Sequence, residues 1–303
     1  MDKKVIAYFF AFIALGMTSA ALGPTLPGPA EQTNTQLSGI SFLFATRSLG
    51  YLAGSIAAGR VLDRLPGHPL LMSLLLLMGL SLLLVPFISQ LWLLTLVMLL
   101  AGVMESGVDV GTNTMMVWRF GERVGPYMNS LHFFFGLGAF LSPIIIAQTM
   151  LATEGGIRLA YWVLALMVLP AVILFLRFPS LPIRHRDTAV DDNKANTLLI
   201  VLVAAFLFLY VGAEVSYGGW IYTYATTLGL SNATAAAYLT SFFWGALTVG
   251  RLLSIPLAAK LHPKTLLGGA LTGALLSMAI LLIGQTSSAA LWLGTIGLGL
   301  SMS

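Results

Sequence analysis

Three polar residues stand at four-residue intervals inside an otherwise apolar stretch: Glu105, Asp109 and Asn113. On a helix this spacing places all three along one stripe. An ionised side chain inside a membrane is costly, so each one needs a partner or a function. Carboxylates accept hydrogen bonds and asparagine both donates and accepts, so Asp109 and Asn113 could bind sugar hydroxyls, and Glu105 and Asp109 could bind a coupling cation. The alternative is that Glu105 or Asp109 neutralises Arg47 as a structural ion pair.

A further acidic residue, Glu214, lies about midway along a later apolar stretch, close to Gly212, Gly218 and Gly219. These glycines permit a broken or bent helix, which frees backbone carbonyls. A carboxylate with free carbonyls suits a small hard cation such as sodium, whereas a proton needs only the carboxylate. Both coupling ions stay open, and so does the alternative that Glu214 forms a structural pair with Arg251.

Other side chains within the apolar stretches have the chemistry of a sugar site. Aromatic faces pack against the C–H side of a sugar, and a few polar groups fix its orientation. The alternatives are a place at the membrane interface for Trp and Tyr, and a hydrogen-bonded bundle position or a proton shuttle for the histidine. The substrate-binding residues expected beside Asp109 and Asn113 are Asn129, His132, Tyr217, Trp220 and Trp244.

The composition identifies the elements that must carry these residues. Of 303 residues, 58% are hydrophobic and only 9% charged, and there is no cysteine, whereas a soluble domain carries about 25% charged residues. This excludes a soluble enzyme, a disordered protein and a nucleic-acid-binding protein, as well as disulfides and thiolate metal sites. Paired-histidine metal motifs, nucleophile–base spacings and Gly-rich phosphate loops are also lacking in the sequence, so we expect no enzyme activity and no cofactor beyond a coupling ion.

Long apolar runs predict transmembrane helices, because a span needs about 20 apolar residues and must satisfy its own backbone. Gly107 and Gly111 lie off the polar stripe and predict a packing face, while Pro143, Pro170 and Pro256 predict kinks. The last run has 15 residues, which predicts a chain truncated at its C-terminus. The ten predicted segments are 5–25, 39–59, 69–88, 91–118, 126–150, 157–177, 197–224, 233–259, 264–284 and 289–303.

The distribution of Lys and Arg predicts the orientation, since cytoplasmic loops are rich in both. If the N-terminus is cytoplasmic, twelve of the 15 basic residues fall in cytoplasmic loops or at the N-terminus. Only Arg158 falls outside, and Arg47 and Arg251 lie within spans. The net charge of +4 therefore reflects membrane topology.

The chain is predicted to consist of two similar halves. A polar stretch at 179–196 follows six spans and is read as a cytoplasmic linker between bundles at 1–178 and 197–303. The pattern Leu-Trp-Leu-x-Thr occurs at both 91–95 and 291–295, although shared Leu and Gly composition could produce such matches. Two parallel six-helix halves are a known transporter architecture, and on that plan helices eleven and twelve are missing.

The loop after the second span resembles a signature of the major facilitator superfamily. Residues 59–68 contain Asp63 and Arg64 in the order of Gly-x-x-x-Asp-Arg-x-Gly-Arg-Arg, with one extra residue and with His68 in place of an Arg. The resemblance implies that Asp63 and Arg64 gate the cytoplasmic side through charge and helix-dipole contacts. The alternative is a plain charged turn.

Three stretches, 109–113, 127–143 and 210–221, resemble the sodium-dependent glucose transporter-like branch of this superfamily and the related fucose–proton symporters. The acid of the fucose group's first helix has no counterpart between Val5 and Gly28. The resemblance implies a monomeric transporter in a bacterial inner membrane that moves a sugar by sodium- or proton-coupled alternating access. The alternatives are an exporter of drugs or metabolites, or a non-transporting receptor.

Overall fold

The computed structural model describes residues 3–180, 197–258 and 260–303, and these residues form helices and no strands. Apolar runs of this length become helices because a helix pairs its backbone groups within one segment. The helices are α1 (Lys3–Ser19, continued by Leu22–Thr25 and Pro27–Gln32), α2 (Phe42–Leu62, after the turn Leu37–Ile40), α3 (Gly67–Leu84, then the 3-10 turn Val85–Phe87), α4 (Leu91–Phe120, then the 3-10 turn Gly121–Arg123), α5 (Gly125–Ala152), α6 (Arg158–Leu166 and Leu169–Arg177), α7 (Thr197–Thr227), α8 (Ala233–Ala258), α9 (Pro263–Ile283) and α10 (Ser288–Ser301).

Each of the ten predicted segments coincides with one of these helices, and the prediction of an all-helical membrane fold is confirmed. In the described part of the chain, eight spans are long and apolar enough to cross a membrane. Helix α8 is not among them, and α10 is a shorter apolar helix. The boundary between two halves stays a prediction, because residues 181–196 of the expected linker lie outside the described residues.

The prolines act differently from one helix to the next. Helices α5 and α8 continue through Pro143 and Pro256, so neither proline breaks its helix. Helix α6 is interrupted after Leu166 and restarts with Pro170 in its first turn. A proline is tolerated at that position because its missing N–H has no partner there in any case.

Close packing in the first half brings together the helices that carry the polar residues. Helices α2 and α4 touch backbone to backbone: a Cβ on Gly102 would lie 2.0 Å from the Arg47 carbonyl oxygen. Only glycine permits this approach. The predicted packing face of α4 is confirmed, since Gly107 and Gly111 lie against Leu74 and Leu71 of α3.

The two halves meet mainly where α5 packs on α8. A Cβ on Gly136 of α5 would lie 2.1 Å from the Thr248 hydroxyl of α8, and further along the same pair of helices Gln148 donates a hydrogen bond to Tyr238. On the other side of Gly136, towards the start of α5, His132 is exposed. The halves are therefore in contact along the second part of α5, while Asn129 and His132, before Gly136, are exposed.

Candidate functional site

The first element of the site is an ion pair between Arg47 of α2 and Glu105 of α4, held by several hydrogen bonds. Arg47 Nε donates to both Glu105 carboxylate oxygens at 3.0 Å, and Nη2 lies 2.5 Å from Oε2. Arg47 Nη1 also donates to the Ser19 carbonyl at 3.2 Å, which ties the end of α1 to the pair. The Glu105 side chain is 1% exposed and that of Arg47 is 13% exposed. This geometry is that of the structural alternative for Glu105, and its expected role in cation coupling stays a prediction.

One helical turn further on, Asp109 has no such counter-charge. Its Oδ2 accepts a hydrogen bond from the Tyr51 hydroxyl, and its Oδ1 accepts one from Asn113 Nδ2 at 2.8 Å. Among the described residues, no lysine or arginine lies within salt-bridge distance of Asp109. The buried Oδ1 of Asn113 has no hydrogen-bond partner there. Both carboxylate oxygens are thus oriented by neutral donors, while the negative charge is uncompensated.

Sequence reasoning missed Tyr51. A usable signal was its spacing, because Tyr51 follows Arg47 by four residues just as Asp109 follows Glu105. Helices α2 and α4 therefore form two successive polar contacts. The first is the ion pair of Arg47 with Glu105, and the second is the hydrogen bond from the Tyr51 hydroxyl to the Asp109 carboxylate.

His132 lies on the accessible part of α5, between the first half and the second. Its ring is exposed and packs edge-on against Phe12, with ring centroids 6.0 Å apart. It interacts electrostatically with Asp109 on α4 and with Arg251 on α8. Asn129, one turn earlier on α5, is also exposed. The expected place of His132 and Asn129 in one site with Asp109 stays a prediction.

The second half contributes a looser ion pair. Arg251 Nη2 lies 3.6 Å from Glu214 Oε2, and the two side chains are 27% and 9% exposed. The Tyr210 hydroxyl interacts with both residues and donates to the Met302 carbonyl. The ion contact of Arg251 is longer than those of Arg47, so this pair is held less tightly than the pair of Arg47 and Glu105.

The glycines near Glu214 permit a break in α7, but none occurs, because the helix runs without interruption from Thr197 to Thr227. Two of its glycines serve close packing instead: Gly218 faces the Trp244 ring and Gly219 faces Phe44. The carbonyls here remain in a continuous helix and are not freed for a cation. The argument for sodium from free carbonyls beside Glu214 therefore fails.

The aromatic residues divide into two groups. Tyr217 bonds to Thr295 at 2.7 Å, and its ring and that of Trp244 both contact Phe243, at 4.9 Å and 5.2 Å between centroids. Trp244 is buried, and its indole N–H has no partner among the described residues. Trp220 is more exposed and packs against Phe44 of α2, with 5.5 Å between ring centroids. The aromatic residues expected to contact the substrate thus do not form one continuous surface.

Asp63 and Arg64 follow the end of α2 and are exposed. Their expected gating role stays a prediction. The nearby His68, which the sequence marked only as a departure from the loop signature, is buried. It bonds to the Tyr8 hydroxyl at 2.8 Å and to the Phe178 carbonyl at 3.1 Å, which ties α3 to α1 and to the residue that follows α6.

Apolar helices of membrane length, with arginine–glutamate pairs between α2 and α4 and between α7 and α8, define a multi-pass integral membrane protein. The chain belongs to the Major Facilitator Superfamily, whose sequence profile matches residues 6–303. The resemblance seen in the loop at 59–68 is thereby confirmed.

Relatives point to one branch of this family. The chain is 34% identical over 317 residues to the sodium-dependent glucose transporter 1 of Xenopus laevis, with 95% of this chain and 64% of the relative covered. It is 32% identical over 337 residues to the Homo sapiens protein of the same name, with 97% and 64% covered. The chain therefore spans less than two thirds of the length of these relatives. For sodium-dependent glucose transporter 1A of Mus musculus the identity is 30% over 333 residues, with 97% and 78% covered.

Solved structures share the fold. A mutant of the nucleoside transporter NupG matches with a TM-score of 0.73 at 15% identity, and the alignment covers 99% of this chain and 80% of that one. The D-xylose-proton symporter matches with a TM-score of 0.70 at 15% identity and the same coverage. At this level of identity the likeness concerns the fold alone, and it confirms the predicted superfamily fold.

Proposed function

We propose that the protein is a secondary active transporter that moves a sugar, or a similar small polar solute, by cation-coupled alternating access. The observation that carries this proposal is Asp109, a carboxylate oriented by Tyr51 and Asn113 without a counter-charge in contact. An uncompensated carboxylate between membrane helices is costly, so it favours binding a proton or a metal cation. A site that binds a cation better in one conformation than in another couples the ion to the conformational change.

The charges around Asp109 favour this residue over the other acids as the binding site of the coupling cation. Glu105 is neutralised by Arg47 through three short contacts, and Glu214 is paired with Arg251. Asp109 is the carboxylate of this layer that has only neutral hydrogen-bond donors. We therefore assign the coupling cation to Asp109, and Glu105 and Glu214 to its surroundings.

The accessible side chains around the cation site suit a neutral polyhydroxylated substrate. The exposed Asn129 and His132 supply donors and acceptors on α5. The buried Oδ1 of Asn113 and indole N–H of Trp244 have no partner among the described residues, and they add an acceptor and a donor. Trp220 offers a partly exposed ring. The relatives named sodium-dependent glucose transporter 1 favour a sugar as substrate and sodium as the cation, and a proton is the competing possibility.

The finer features of this proposal follow from the sequence. The bias of Lys and Arg favours a cytoplasmic N-terminus, which makes the accessible end of α5 the cytoplasmic one. The protein then works as a monomer in a bacterial inner membrane, without enzyme activity, and Asp63 and Arg64 gate its cytoplasmic side. Substrate and cation together promote the exchange between inward- and outward-open states.

The test is uptake of labelled sugars into proteoliposomes that contain the full-length protein, with sodium and proton gradients imposed separately. One gradient should drive concentrative uptake. Asp109→Asn should abolish concentration against the gradient, while Glu31→Gln, at an exposed acid, should leave it unchanged. Uptake that equilibrates without any gradient, or concentrative uptake by the Asp109→Asn variant, would overturn the proposal.

A further inference from the structure

The part of α4 that carries Asp109 also carries two buried oxygen atoms without a hydrogen bond. They are the hydroxyl oxygen of Thr112 and the side-chain oxygen Oδ1 of Asn113, and neither has a partner among the described residues. The Thr112 side chain is fully buried. A buried polar atom without a bond is costly, so two such oxygens beside a carboxylate without a counter-charge indicate a site for a ligand.

The unbonded hydroxyl of Thr112 is unusual among the buried threonines of the described residues. A threonine within a helix can satisfy its hydroxyl by donating to the carbonyl four residues earlier. Thr112 and Thr223 lack such a bond, whereas the other buried threonines form it: Thr18, Thr25, Thr240, Thr248 and Thr295. The Thr112 oxygen is therefore not used by its own helix and can bind a ligand beside it.

Both oxygens belong to neighbours of the Asp109 carboxylate. Asn113 is in direct contact with it, since Nδ2 donates to Asp109 Oδ1 at 2.8 Å and to the Asp109 main-chain carbonyl at 2.9 Å. Thr112 follows Asp109 by three residues on an uninterrupted helix, a spacing that leaves about 5–6 Å between Cβ atoms. The Tyr51 hydroxyl binds the other carboxylate oxygen, Oδ2. Oδ1 is therefore the Asp109 oxygen available to a cation.

We propose that Asp109, Thr112 and Asn113 form a binding site for a monovalent metal cation such as sodium, through Asp109 Oδ1, Thr112 Oγ1 and Asn113 Oδ1. This inference rests on the proposed function and specifies its coupling ion. Hard cations take carboxylate, amide and hydroxyl oxygens as ligands, and water completes their coordination, whereas a proton needs only the carboxylate. One carboxylate with neutral oxygens balances a single positive charge, which favours a monovalent ion.

The side-chain amide of Asn113 acts as a switch in this site. In the structure its Nδ2 donates to Asp109 Oδ1, while its own Oδ1 is unbonded. Rotation about the last torsion of the side chain exchanges these two atoms, and this torsion is roughly two-fold. Asn113 Oδ1 then faces the cation together with Asp109 Oδ1. The amide thus donates to the bare carboxylate in one state and coordinates the cation in the other.

The experiment measures sodium binding directly, as the rise in the melting temperature of the purified full-length protein with sodium chloride. Choline chloride keeps the ionic strength constant, so the rise reports a ligand that binds the folded state. Thr112→Val keeps the shape of the side chain without its hydroxyl. It should raise the sodium concentration for half-maximal stabilisation by about tenfold or more, because a lost bond to a charged group has an effect of this size.

Three further variants complete the set. Thr112→Ser keeps the hydroxyl and should restore the half-maximal sodium concentration towards that of the unmodified protein. Thr95→Val, also on α4, removes a hydroxyl that bonds to the Leu91 carbonyl and should leave that concentration unchanged. Asp109→Asn keeps the shape of the side chain without its charge and should abolish the sodium-dependent rise.

Two results would overturn the inference. In the first, Thr112→Val lowers the melting temperature at every sodium concentration without changing the half-maximal value, so the hydroxyl only stabilises the fold. In the second, the rise with sodium persists in Asp109→Asn or is absent from the unmodified protein. If protons then drive concentrative uptake of sugar, the proposed function stands and only the metal site fails. If neither gradient drives uptake, the proposed function itself fails, so the two failures are distinguishable.

Discussion

The two halves of the molecule each contain an arginine–glutamate pair, and the two pairs are built differently. Arg47 reaches Glu105 through several contacts between 2.5 and 3.0 Å, with the glutamate side chain 1% exposed. Arg251 reaches Glu214 through one contact of 3.6 Å, with the arginine 27% exposed. Short, multiple charge-assisted bonds are stronger and more specific in geometry than one long contact. The same residue types thus form a tightly bonded pair in one half and a loosely bonded pair in the other.

The largest effect is expected where the tightly bonded pair is broken. Arg47→Met leaves Glu105 buried without its counter-charge, which typically costs about 3–5 kcal/mol. We expect a matching loss in the free energy of unfolding, measured by denaturation in detergent micelles. Arg251→Met should cost less than half as much, because its pair is long and partly exposed. Equal losses in the two variants would remove the distinction between the halves.

The contact between the halves provides the next test. Gly136→Val adds a Cβ that would lie 2.1 Å from the Thr248 hydroxyl, so α5 and α8 can no longer approach as closely. Because the chain has no cysteine, Gln148→Cys and Tyr238→Cys can report this contact by oxidative cross-linking. We expect the Gly136→Val change to reduce the cross-linked fraction several-fold.

The matched control is Gly212→Val on α7, where an added Cβ meets no atom within 4 Å. Its cross-linking should equal that of the double-cysteine protein alone. Unchanged cross-linking in the Gly136→Val variant would mean that the contact between Gln148 and Tyr238 does not depend on the close approach of α5 and α8 at Gly136.

The sequence predicted the helices well because each is a long apolar run with a single solution for its backbone. It predicted less of the site. The stripe of Glu105, Asp109 and Asn113 followed from helical spacing, but which acid Arg47 binds depends on the approach of α2 to α4 through Gly102. Spacing within one segment says nothing about such contacts between segments.

The role of the glycines in α7 also depends on contacts between helices. Glycines permit a break and also permit close packing, and the sequence does not distinguish these uses. In the structure the ring of Trp244 fills the space beside Gly218. The contact between Gly218 and Trp244 therefore shows that this glycine serves close packing, which the local sequence alone does not indicate.

A smaller effect is expected at the hydroxyl that orients Asp109. Tyr51→Phe removes a donor that stabilises the ionised carboxylate, and a hydrogen bond to a charged group contributes about 1.5–3 kcal/mol. With the bare carboxylate less stable by that amount, the cation should bind more tightly, and the concentration for half-maximal uptake should fall about 10- to 150-fold. Tyr224→Phe, on an exposed part of α7, should leave this concentration unchanged, and a rise in the Tyr51→Phe variant would contradict the role of a stabilising donor.

The smallest effect is expected at a hydrogen bond between α1 and α3 in the first half. There the buried Tyr8 hydroxyl bonds to His68 at 2.8 Å. Tyr8→Phe keeps the ring contacts with Phe175 and removes one neutral hydrogen bond, which typically contributes about 1 kcal/mol. We expect the free energy of unfolding to fall by about that amount, with Ser55→Ala, near the surface of α2, as the control. The half-maximal cation concentration should not move, because the bond joins α1 to α3 and involves none of the groups bonded to Asp109. A shift in cation dependence without a loss of stability would mean that the first half changes its contacts during transport, and the contrast between the two halves would then be one of degree.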